Sequence, residues 1–183
     1  MAKQKDRVRR DNDTLRRMAE GHLTYEFDMF HASATLIGDQ TVQSCIPLRN
    51  AVIESIAVHT RVLLKFFFDT SPREDDVVAG DFYENPSTWN AWATQTWKDA
   101  NVGILIDAIE NRVNKEVVHL TYYRLGVKPD EKAWRETLRK ANTILKLAYV
   151  QFIRTVPAAN LAGKVLAEKK HILKAQPKRL PDK

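Results

Sequence analysis

The segment from Glu110 to Arg124, ENRVNKEVVHLTYYR, concentrates side chains able to hold an anion and move a proton. Arg112 and His119 stand seven residues apart; in a helix this returns them to within roughly 20° of one another, separated by about 10 Å of axial rise. Glu116 falls on the same strip, one turn from Arg112, and Tyr122 and Tyr123 follow His119 by three and four positions. A guanidinium neutralises phosphate oxygens, and an imidazole transfers protons near neutral pH, so the pair suits phosphodiester cleavage. The same spacing also suits a solvated Arg112–Glu116 ion pair beside a core histidine.

An earlier stretch, LRNAVIESIAVHTRVLLKFFF, adds Glu54, His59 and Arg61. Glu54 and Arg61 share a strip, whereas His59 points about 140° away from Glu54. Polar groups on so apolar a helix need partners across the fold, because burying them unpaired is costly. They either line a site with Arg112 and His119 or form a structural hydrogen-bond network, and the spacing leaves both open.

Apolar residues recurring every three or four positions predict the elements that carry these groups. A first helix runs from Asp13 or Thr14 to about Ile37. A second starts near Pro47 and continues to Phe68, with apolar residues around much of its circumference. Residues 69–86 hold two prolines, a glycine and six carboxylates against one arginine, and read as a long solvated connection. Ser87 caps a short helix bearing Trp89, Trp92 and Trp97. A further helix spans about Asp99 to Leu125 and stops at Gly126; another opens at Pro129 and reaches Thr155 before Pro157. The four tryptophans, Trp134 included, read as core residues more readily than as stacking platforms for bases.

The expected fold is therefore all-α: an antiparallel bundle of four long helices plus a short one. Residues 13–157 form its domain, 1–12 a basic N-terminal arm, and 158–183 a basic, loosely held C-terminal tail. With 183 residues, 44% hydrophobic and 28% charged, one core of ordinary size is expected. No apolar run has the roughly 18 residues needed to span a bilayer, and the opening residues lack the apolar segment of a secretion signal, so the expected location is the cytoplasm. The lone Cys45 fits a reducing compartment. The net charge of +6 is uneven: residues 1–17 hold seven Lys/Arg against three Asp, and residues 160–183 seven against Glu168 and Asp182. Basic ends of this kind attract phosphate through counterion release. No glycine-rich phosphate loop occurs, which disfavours a mononucleotide or dinucleotide site.

Arg112, six residues, then His119, late in a small helical chain, resembles the R-x(4–6)-H motif of HEPN proteins, and AVIESIAVHTRVLLKFFF and NRVNKEVVHLTYYR are similar to bacterial helical proteins of that superfamily. The likeness covers roughly residues 45–125. It implies a metal-independent ribonuclease, commonly a toxin or defence component, with its site at a homodimer interface and the RNA 2′-OH attacking the neighbouring phosphate. By position, Arg112 would stabilise the phosphorane and His119 would act as general acid or base, with Glu54, His59, Arg61, Asn114, Glu116, Tyr122 and Tyr123 in support. No cofactor is implied; RNA and an antitoxin-like protein are the implied partners. The chain departs from the family where Val113 stands in place of a polar residue after the arginine. The alternative is a non-catalytic helical module that binds protein or nucleic acid, as many HEPN domains do.

A rival reading takes Glu116-x-x-His119 and Glu168-x-x-His171 as ligand pairs of a di-iron bundle, with Glu20 or Glu26 and Glu54 completing the set. Adjacent lysines at 169 and 170 oppose it.

Overall fold

The computed structural model describes residues 10–69, 71–99, 102–112 and 131–174. Among them the chain is helical with no strand. Helix α1 (Asn12–Arg17) leads without a break into a six-residue π-helix (Met18–Leu23) and then α2 (Thr24–Leu36), forming one continuous rod. Short α3 (Gln40–Ser44) precedes α4 (Ile46–Phe68), followed by α5 (Ser87–Asp99), α6 (Val102–Arg112), α7 (Glu131–Thr155) and α8 (Gly163–Lys174). No helix among the described residues is long and apolar enough to cross a membrane.

Local chemistry sets the starts. Asp11 accepts the Thr14 amide at 2.8 Å, so the rod is capped slightly earlier than the sequence predicts. Asp39 likewise caps α3 through the Thr41 amide. Asn85, rather than Ser87, accepts the amide at the head of α5, and Ser87 is itself the first helical residue. The π segment arises where the Thr24 amide and hydroxyl both reach back five residues to the Ala19 carbonyl.

The rod and α4 run antiparallel: Glu26 meets His59, and Ser33 meets Ser55 through a 2.8 Å hydroxyl contact. An aromatic cluster joins the rod, α4, the connection after it, α5 and α7. Phe67 packs edge-on against Phe27 and Phe152, Phe82 against Phe66 and Phe152, and Trp89 against Phe152, while the Trp89 and Phe67 rings meet tilted. Each such ring, fully buried, stabilises the fold by roughly 1.5–3 kcal/mol.

Two segments are more integrated than their composition predicts. The connection between α4 and α5 folds a 3-10 turn (Ala79–Phe82) that puts Phe82 in the core, while its acidic residues stay outside. Residues 158–174, expected as a loosely held tail, pack through buried Leu161, Val165 and Lys169. The lysines there mask an apolar stripe with helical spacing, and Lys169 itself is buried.

That burial follows from an unmet need. The last four carbonyls of a helix lack intrahelical donors. At the end of α7 the Lys169 ammonium donates to the carbonyls of Ile153 and Arg154, at 2.7 and 2.9 Å. At the end of α4 the Trp89 indole donates to the Phe67 carbonyl at 2.8 Å. The Asn160 amide closes the 3-10 turn in the same way, on the Phe82 carbonyl at 2.7 Å. Side chains distant in sequence thus finish these helix ends.

Candidate functional site

Arg112 is the last residue of α6. Asn114, Glu116, His119, Tyr122 and Tyr123 lie outside the described residues, as does the expected continuation of that helix to Leu125. Of the supporting positions on α4, Glu54 is exposed, His59 is buried and Arg61 is half-buried. The Nε of Arg61 is buried without a hydrogen-bond partner. The cross-bundle partner of His59 is Glu26: Nδ1 and Oε2 lie 2.7 Å apart, and the two side chains are 11% and 21% exposed. Against an ionised carboxylate, which only accepts, Nδ1 is the donor of this contact. The Tyr25 ring meets the imidazole edge-on, with centroids 5.8 Å apart.

Next to this pair a groove of about 380 Å³ opens between the π-helical segment, the second half of α4 and the acidic connection. Leu23, Leu63, Phe66, Val78 and Phe82 supply apolar lining. Its polar members are His22, Glu26, Lys65, Asp69, Asp75 and Asp76. Lys65 approaches Asp69 at 3.9 Å, one turn apart on α4. Asp76 also fixes the loop by accepting the Arg73 amide at 2.7 Å, and Asp69 does so through the Ser71 amide at 2.8 Å. The connection that reads as solvated from composition therefore forms one wall of a cavity. His22 and Glu26, four apart, carry the one sequence signal that could have marked the opposite wall.

A second polar cluster ties α8 to the bundle. The Tyr149 hydroxyl donates to Glu168, Lys164 pairs with Asp28, and the Arg16 guanidinium donates to the Ala159 carbonyl at 2.7 Å. Burial and the neighbouring Glu168 carboxylate both push the Tyr149 phenol well above its ordinary range. Tyr83, buried and hydrogen-bonded to Thr155, is raised to about 12, burial being the larger cause. These phenols stay neutral, as structural hydrogen-bonding groups do.

Of the residues considered as di-iron ligands, Glu168 is engaged by Tyr149 and Glu26 by His59, and Glu116 and His119 lie outside the described residues. Among the described residues no three His, Cys, Asp or Glu side chains converge as a metal centre requires. Three of the tryptophans are placed by packing: Trp89 is buried, and Trp92 and Trp97 are half-buried against the core, whereas the Trp134 side chain lies outside those described. No family model, curated protein or solved structure matches the chain.

Proposed function

We propose that the chain is a HEPN-like endoribonuclease acting as a homodimer, with Arg112 and His119 as its catalytic residues. The observation that carries this reading is the Arg112-x6-His119 spacing in a chain that is helical up to Arg112. In the proposed reaction the RNA 2′-oxygen attacks the adjacent phosphorus as its proton is removed. The 5′-oxygen then leaves with a proton, and the strand ends in a 2′,3′-cyclic phosphate. No redox partner or metal enters that balance. Arg112 offsets the charge building on the phosphorane oxygens, and His119 passes the proton. The basic terminal segments, with fourteen Lys/Arg against five Asp/Glu, supply attraction for a polyanion.

The experiment is cleavage of a labelled single-stranded RNA by purified full-length protein in excess EDTA. Cutting is expected, with cyclic phosphate ends, and is expected to vanish in Arg112→Ala and His119→Ala proteins of unchanged helicity. Wild-type-rate cutting by the His119→Ala protein would exclude His119 as the catalyst.

A second reading, a non-catalytic helical binding module, is favoured by one observation: His59, on α4, is engaged across the bundle by Glu26. Under it both alanine proteins melt at lower temperature and neither they nor the wild type cut RNA.

A further inference from the structure

The groove beside the Glu26–His59 pair calls for its own explanation, and the ribonuclease reading does not use it. Three features point to an occupant. Its lining is mainly aliphatic and aromatic, and about 380 Å³ lies within the roughly 300–1,000 Å³ range of small-molecule sites. Its charged members are four carboxylates, Glu26, Asp69, Asp75 and Asp76, against the single Lys65, in a chain whose net charge is +6. One wall is a π-helical stretch, Met18–Leu23, contributing Met18, His22 and Leu23; this helix form is rare and concentrates at functional positions.

An apolar trough edged by carboxylates repels phosphate and favours a cation that also has apolar surface to bury. We propose that this groove binds a small organic cation, an amine or amidine on an aromatic or aliphatic body, with the body on Phe66, Leu63 and Val78 and the cationic head toward Asp69 and Asp75. Lys65, beside Asp69, then sets how much negative charge the head meets. Val62, 41% exposed, is part of the lining, so a bulkier side chain there takes up groove space.

The test is a ligand-observed NMR titration of the full-length protein with three amine or amidine probes: phenethylamine, tryptamine and benzamidine. Phenethyl alcohol and 3-phenylpropionate serve as neutral and anionic counterparts of the first. Phenethylamine is expected to bind about tenfold more tightly than phenethyl alcohol, the factor for one partly exposed charge contact worth about 1.4 kcal/mol, with the anion weaker still. The Asp69→Asn/Asp75→Asn protein should lose that preference and keep its affinity for the alcohol, and Val62→Trp should weaken all probes. Circular dichroism of each variant confirms that the fold is kept. Equal binding of amine and alcohol, absence of binding by all three cations, or cation binding indifferent to the double substitution would overturn the proposal. So would binding seen only after deletion of residues 1–9, which would identify the chain's own basic arm as the occupant.

Discussion

Replacing Lys169 by methionine removes an ammonium while keeping most of the apolar stem that packs beneath it. In the native fold that ammonium satisfies two carbonyls at the end of α7. Hydrogen bonds from a charged donor contribute about 1.5–3 kcal/mol each, but two effects reduce the sum. Burial lowers the pKa of Lys169, so part of the gain is already offset by desolvation of the ammonium. The Arg154 residue is exposed, so water can reach its carbonyl once the lysine is gone, whereas Ile153 is fully buried and its carbonyl would be stranded. The stranded group dominates, and a loss of about 2–3 kcal/mol is expected. For a chain of this size that corresponds to a melting point lower by about 5–10 °C. Urea unfolding at neutral pH measures it as a shifted midpoint at constant slope. The exposed neighbour supplies the control: Lys170→Met should stay within about 0.5 kcal/mol of wild type. If the two variants behave alike, residues 163–174 are not held as described, and the argument that a buried lysine completes α7 fails.

Three further outcomes follow from the same structure. Trp89→Phe strands the Phe67 carbonyl and opens a gap in the aromatic cluster, so a loss of about 2–3 kcal/mol is expected by thermal or urea unfolding; a change under about 0.5 kcal/mol would contradict the capping role. Gly103→Ala places a methyl 1.5 Å from Nε1 of Trp97, forcing the indole to move at a cost of about 1–3 kcal/mol, and near-UV circular dichroism should register the displaced ring; an unchanged spectrum and midpoint would refute that contact. His31 is exposed overall, but its ring stacks on Phe27, and partial desolvation there chiefly lowers its pKa, with Lys146 and Lys164 acting in the same direction and Asp28 and Glu168 opposing them. Below about pH 6.5 the unfolded chain therefore takes up this proton first, and stability falls as pH drops through that value. His31→Gln should flatten this part of the stability profile, and identical wild-type and variant slopes between about pH 5 and about pH 7.5 would sink the assignment.

The helical character of the chain, the span of α4 and the buried stripe of α7 were legible in the sequence, because a spacing of three and four is a local property of consecutive residues. Leu145, Ala148 and Phe152 are buried as that spacing requires. The angular spacing on α4 is similarly local: Glu54 and His59 point apart, and one is exposed while the other is buried. Partners were not legible. Glu26 precedes His59 by 33 residues, Trp89 follows Phe67 by 22, and Lys169 follows Ile153 by 16. Nothing in the intervening residues encodes those encounters, which exist only after the helices have chosen neighbours and left particular carbonyls and an imidazole in need of a counterpart. The same holds for the acidic connection and the lysine-rich final helix. Their charges announce solvent, yet Phe82, Leu161 and Val165 have nowhere to bury except against a core assembled from the rest of the chain. Sequence periodicity marked the inward faces of α4 and α7, but not that of the first rod, where the π segment shifts the register and Tyr25 and Leu36 are exposed while Phe27 and Phe30 are buried; tertiary packing decided what each inward face meets, because that depends on contacts between residues far apart along the chain.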